Sequence, residues 1–174
     1  MTDIVLAHNG SVDKLMGDGM MAVWGNLKSE SPAADGRSAI LAALAMRRAL
    51  DQANIRWRAR GWPALRLGIG LAHGEATVGN VGSARKMDFT AIGETVNAAS
   101  RIERLTGGMT YDILIGGRLG ALVGHNFELV GVGAVPLKGI AQPLPVFAVV
   151  GEAKTPIAVA PTPMPIAEPA LAAL

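Results

Sequence analysis

Gly93 divides two stretches that no single element can span. Before it, Met87 to Ile92 reads as a strand; after it, Val96, Ala99, Ile102 and Leu105 recur every third residue, the spacing of one buried helix face. The segment from Met87 to Glu103 is therefore a strand, a glycine turn and a helix. Asn97 and Arg101 fall on another face of that helix. Residues at i and i+4 are surface neighbours, so an amide and a guanidinium project side by side and can grip an anionic ligand together.

The segments around this unit supply its partners. Thr2 to Ala7 reads as the last turns of a helix stopped at Asn9-Gly10, so the chain reads as beginning in mid-fold. Ser11 to Gly17 and Gly19 to Gly25 are two short strand-like runs around Gly17-Asp18-Gly19, a hairpin signal that puts Asp18 at a tight turn. Residues Pro32 to Arg60 are helical, with Ile40, Leu41, Leu44 and Leu50 on the buried side and Arg47, Arg48, Arg56, Arg58 and Arg60 on a wet face. Leu65, Leu67, Ile69 and Leu71 alternate with Arg66, Gly68 and Gly70, a strand whose glycine side invites close approach by a ligand or a partner chain. His73 ends that strand without a second ligand at metal spacing and reads as structural.

Further strands are expected over Glu75 to Val81, Tyr111 to Ile115, Phe127 to Val130, Val132 to Leu137 and Pro145 to Val150, with a short helix over Arg118 to Val123. The fold class is α+β: a mixed or antiparallel sheet with helices on one side. Residues 1–150 form one domain, and the Pro- and Ala-rich stretch 151–174 is a disordered tail.

Composition narrows the function. Lys and Arg number 16 against 14 Asp and Glu, a net charge of +2, and no dense basic run with interleaved aromatics exists, so nucleic acid is not an expected partner. The absence of cysteine removes disulfides and thiolate metal sites. No apolar run approaches the ~20 residues that span a bilayer, so no membrane contact within the chain is expected.

Four ordered blocks then point to a family. Lys14-Leu-Met-Gly-Asp18 through Gly25, Leu67-Gly-Ile-Gly-Leu-Ala-His73-Gly, Asp88 through Arg101, and Leu137-Lys138-Gly139 followed by Pro145-Val-Phe-Ala-Val together resemble the class III nucleotidyl cyclase catalytic domain over Ile4 to Val150. The resemblance implies a ferredoxin-like cyclase fold, a cytoplasmic homodimer with shared active sites, and conversion of ATP to 3′,5′-cyclic AMP and pyrophosphate. It assigns Asp18 to metal binding (Mg²⁺ or Mn²⁺), Arg101 to transition-state charge, Asn97 to the ribose and Lys138 to the terminal phosphates. Lys14 and Thr90 match the base-reading positions. A cationic donor with a hydroxyl acceptor suits adenine, which offers an acceptor at N1 and a donor at N6. Threonine at position 90 resembles the bicarbonate-responsive subgroup, which implies bicarbonate as an activator.

The family's opening Phe-x-Asp-Ile strand, carrying the other metal-binding aspartate, and most of the helix after it have no counterpart in these residues. Two expectations of different class follow: a catalytic domain shortened at its N-terminus, or an inactive cyclase-like module that binds nucleotide or dimerises. Loss of one carboxylate weakens cation binding and raises the cost of deprotonating the 3′-hydroxyl. This chain alone is therefore expected to make little or no cyclic AMP from Mn-ATP. A direct turnover assay checks this, and robust turnover that vanishes in Asp18→Ala would count against it.

Overall fold

A computed structural model describes residues 1–136 and 143–153 of the 174-residue chain. The N-terminal turn α1 (Thr2–Ala7) leads through Asn9, at φ 59°, into the hairpin β1 (Ser11–Met16) and β2 (Gly19–Val23). The long helix α2 (Pro32–Arg58) is started by Ser31, whose hydroxyl accepts from Ala34 N at 3.1 Å, with Pro32 in the first turn. The chain continues through β3 (Ile69–Leu71), the ribbon β4 (Thr77–Ser83) and β5 (Lys86–Ile92), and helix α3 (Glu94–Leu105). It finishes with β6 (Ile113–Gly116), α4 (Gly117–Val123), β7 (Phe127–Val135) and β8 (Leu144–Glu152).

The expected α+β class holds, but the strands do not form one sheet. Four of them make a mixed sheet in the order β3-β6-β8-β7, with β3 and β6 parallel and the other pairs antiparallel. β1–β2 and β4–β5 are separate antiparallel ribbons. The two runs expected around Gly131 are one strand, β7, whose register shifts between Gly131 and Gly133; a bulge absorbs the irregularity that reads as a break in sequence.

Helices cover both faces of the four-stranded sheet, not one. On one face Ile40, Ala43 and Leu44 of α2 and Leu119 and Val123 of α4 pack on Ile113, Ile115 and Val149. On the other, Ile102 of α3 packs on Leu114, Val146 and Ala148. Strand alternation explains the division, since neighbours along β6 and β8 point to opposite faces. Both faces of β6 are buried, which is why it reads as an unbroken apolar run.

The glycine side of β3 has a specific occupant. A Cβ on Gly70 would overlap the backbone N of Glu103 and the carbonyl oxygen of Ala99, and one on Gly68 would overlap the Thr106 hydroxyl. The close approach foreseen for a ligand or partner chain is made by α3 itself, while Ile69 and Leu71 face the α2–α4 side. Only Ile69–Leu71 of the expected Leu65–Leu71 strand is extended in the sheet. Leu65 is 55% exposed, and its backbone pairs with the buried side-chain amide of Asn54, which donates to Leu65 O and accepts from Leu65 N, both at 2.9 Å.

The expected wet arginine face of α2 loses one member. Arg47 Nη1 lies 3.2 Å from Asp112 Oδ1 and 3.3 Å from Val149 O, and Nη2 donates to Val150 O at 2.6 Å, tying α2 to the sheet. Arg60 lies over the Trp62 ring at 5.8 Å.

Gly70→Ala should destabilise the protein by ~2–3 kcal/mol or more, because the obstructing atoms are backbone and cannot rotate away. Urea unfolding measures it; a loss below ~1 kcal/mol would mean that α3 can ride outward freely.

Candidate functional site

Three elements carry the residues singled out in the sequence: the β1–β2 ribbon, strand β5 and helix α3. The link between the first two is Asp13, a residue that no motif in the sequence marks. The register of β1 against β2 shifts between Val12 and Lys14, so Asp13 is the extra residue of a bulge and its side chain leaves the ladder. That side chain is only 5% exposed. Its Oδ1 accepts the Thr90 hydroxyl at 2.9 Å, and its Oδ2 accepts Ala91 N–H at 2.9 Å. Lys14 Nζ sits 3.4 Å from the same Oδ1.

Lys14 and Thr90 are therefore brought together, through a shared carboxylate. Thr90 is buried, at 6% exposure, and Lys14 keeps about a third of its side chain in solvent. Burying a carboxylate is costly unless its oxygens are satisfied, and here a hydroxyl, an amide N–H and an ammonium do so. A lone acid between Val12 and Lys14 was the only signal in the sequence. A bulge is not legible there, so the acid passed as an ordinary strand residue.

Gly93 turns the chain from β5 into α3. Its φ of 143° is open to glycine and strained for other residues, and its carbonyl accepts Asn97 N–H at 3.2 Å to begin the helix. Asn97 is exposed and Arg101 half-buried, one turn apart as the spacing required. Among the described residues the ion pairs are Lys14–Asp13 and Arg47–Asp112, so Arg101 belongs to neither. Thr95, beside them, caps Glu75 O at 2.7 Å and fastens the start of α3 to the chain before β4.

Asp18 occupies the two-residue loop of the β1–β2 hairpin and is exposed. Among the described residues no group of three or more His, Asp or Glu side chains could hold a metal ion. The residues described thus do not by themselves fit a complete divalent-cation site, and Asp18 offers a single carboxylate. Lys138 and the 154–174 part of the expected tail lie outside the described residues.

Among the described residues, the expected site residues line neither the depression at the β5–α3 corner nor the one beside Arg37 and His125. The shallow depression at the β5–α3 corner is lined by Glu75, Ala76, Thr77, Ile92 and Gly93, none of them among those residues. The surface near them is apolar: Leu15 and Met16 on β1, Val78 and Val81 on β4, and Met87, Phe89 and Ile92 on β5 are all exposed.

Comparison with known proteins adds the following. The profile of the adenylate and guanylate cyclase catalytic domain matches residues 3–151. Adenylate cyclase 1 of Rhizobium meliloti is 33% identical over 153 residues, covering 86% of this chain and 22% of the relative. An adenylate cyclase of Anabaena cylindrica is 36% identical over 110 residues, covering 61% of this chain and 20% of the relative. The chain thus spans about a fifth of the length of these curated relatives. Among solved structures, the adenylyl cyclase CyaB from P. aeruginosa superposes with a TM-score of 0.80 at 30% identity, covering 87% of this chain and 77% of that one. The guanylyl cyclase Cya2 superposes with a TM-score of 0.77, also at 30% identity, covering 91% and 78%.

Because Asp18 is exposed at a hairpin tip, Asp18→Asn should change stability by no more than ~0.5 kcal/mol. Thermal unfolding of the metal-free chain checks this; a larger loss would assign Asp18 to turn structure.

Proposed function

The chain belongs to the adenylate and guanylate cyclase catalytic domain family, and we propose that it serves the conversion of ATP to 3′,5′-cyclic AMP and pyrophosphate in intracellular signalling. The observation that carries the choice of ATP is the convergence of Lys14 and Thr90 on Asp13. It sets an ammonium donor beside a hydroxyl, the pair that complements N1 and the N6 amino group of adenine. The two structural relatives at 30% identity are one adenylyl and one guanylyl cyclase, so the base reading rests on these side chains and not on likeness.

In this reading the ribose 3′-oxygen attacks the α-phosphorus; the new O–P bond forms as the bond to the bridging oxygen of pyrophosphate breaks, and the 3′-hydroxyl proton leaves to solvent. Asn97 holds the ribose. Arg101 places a guanidinium where negative charge grows on the α-phosphoryl oxygens, an interaction stronger in the transition state than in the ground state. Lys138 neutralises the terminal phosphates. Mg²⁺ or Mn²⁺ would be held partly by Asp18 and would lower the pKa of the 3′-hydroxyl, although the described residues do not complete its site. Threonine at position 90 is the basis for proposing bicarbonate as an activator.

A homodimer supplies what one chain leaves open. The exposed apolar residues of β1, β4 and β5 flank the expected site residues, and a second copy laid across them would cover the one and close over the other. A second reading, a nucleotide-binding or dimerising module without turnover, is favoured by Asp18 belonging to no group of His, Asp or Glu side chains that could hold a metal ion among the described residues.

In a domain extended by the family's Phe-x-Asp-Ile strand, Arg101→Ala should lower kcat by roughly 10²–10³-fold with little change in KM. Mixing Lys14→Ala with Asp18→Ala subunits should restore turnover that neither has alone. A full-rate Arg101→Ala enzyme would remove the arginine from the chemistry, and no rescue on mixing would count against shared sites.

A further inference from the structure

We propose that Asp13 is the positioning residue for purine choice: by accepting the Thr90 hydroxyl's hydrogen bond it commits that oxygen to accept from a ligand, and so selects adenine over guanine. The proposal rests on the ATP reading above and deepens it. A threonine hydroxyl carries one donor and two lone pairs, so alone it can meet either the amino group of adenine or the carbonyl of guanine. Thr90 is not alone. Its proton has two acceptors within reach, Asp13 Oδ1 at 2.9 Å and Ala91 O at 3.4 Å. The shorter bond to a carboxylate is also the stronger, so the O–H points to Asp13 and the lone pairs remain for a ligand.

The carboxylate cannot easily turn away. Its second oxygen is held by Ala91 N–H at 2.9 Å, and Ala91 is 3% exposed, so rotation would leave a buried amide unpaired. Water has little access to replace either bond, since the Asp13 side chain is 5% and Thr90 6% exposed. The bulge at Asp13 is what makes this possible, because a residue in the regular ladder between Val12 and Lys14 would alternate between the faces of its own ribbon instead of crossing to β5.

The same Oδ1 holds Lys14 Nζ at 3.4 Å, which keeps the ammonium beside Thr90. One carboxylate thus serves both members of the base-reading pair: it holds in place an ammonium that can only donate, and it leaves the hydroxyl to accept. Guanine would bring an N–H to the donor and a carbonyl to the acceptor, two mismatches, the one at buried Thr90 with little solvent to relieve it.

Equilibrium binding of ATP and of GTP, each with Mn²⁺, to the full 174-residue chain tests this. Wild type should prefer ATP. Asp13→Asn keeps the shape but turns an amide toward Thr90 and frees the hydroxyl proton to donate, so the ATP-to-GTP affinity ratio should fall about tenfold. Thr90→Val should lower the ratio similarly, and the double variant should lose less than the two single losses combined, because both act on one hydroxyl while Asp13 also holds Lys14. Asp13→Ala reads the same ratio should Asp13→Asn fail to fold. An unchanged ratio in the Asp13 variants overturns the proposal and leaves the ATP reading intact. Equal losses of ATP and GTP affinity also overturn it, since a scaffold role weakens both. A wild-type chain that prefers GTP or binds neither overturns the ATP reading and this proposal together, and does so before any variant is made.

Discussion

The backbone of α3 lies directly on β3, and the rest of the arrangement depends on that contact. Where most helices stand off from a sheet by the length of their side chains, here Gly70 lets Glu103 N and Ala99 O approach the strand itself. The helix is thereby pinned in depth and rotation. Ile102 drops into the layer formed by Leu114, Val146 and Ala148, and the opposite side of α3, with Asn97 and Arg101, is turned outward. The large side chains of β3, Ile69 and Leu71, serve the other face, so α2 and α4 are held from the same three-residue strand. One small residue thus couples two hydrophobic layers to the orientation of the candidate site.

A second constraint is electrostatic. The two ribbons are not joined to the four-stranded sheet by a ladder, nor to each other. What fixes β1 against β5 is the Asp13 carboxylate, accepting from Thr90 and Ala91. A side-chain bridge sets distance and polarity at one point while leaving the flanking edges free. Those edges carry Leu15, at 68% exposure, and Phe89, at 60%. Apolar side chains left out at the rim of a polar cluster suit a surface that a second chain completes, which is why the proposed homodimer and the proposed shared site are one structural idea.

Much of this was legible before any coordinates. The Gly17-Asp18 hairpin, the long helix from Pro32, the corner at Gly93 and the helix that follows it all rest on local rules: turn chemistry and hydrophobic period. The same rules failed where a long-range partner decided the outcome. The Leu65–Leu71 alternation promised a long strand, yet Leu65 pairs with the amide of Asn54 and not with a neighbouring strand. The α2 arginines promised a solvated face, yet Arg47 closes on Asp112 and two carbonyls of β8, across a separation in sequence that no periodicity reports.

The sequence by itself determined the chemistry available: which side chains exist, their order in four blocks, and the i, i+4 pairing of Asn97 with Arg101, because helix geometry is local. It also determined that Gly68 and Gly70 would meet something. Only the tertiary structure decided what they meet, that helices cover both faces of the sheet, and that Asp13 joins Lys14 to Thr90. The physical reason is the same in each case. A glycine, a carboxylate or a hydroxyl has several acceptable partners of similar energy, and the choice among them is made by which distant segment the packed core brings within 3 Å.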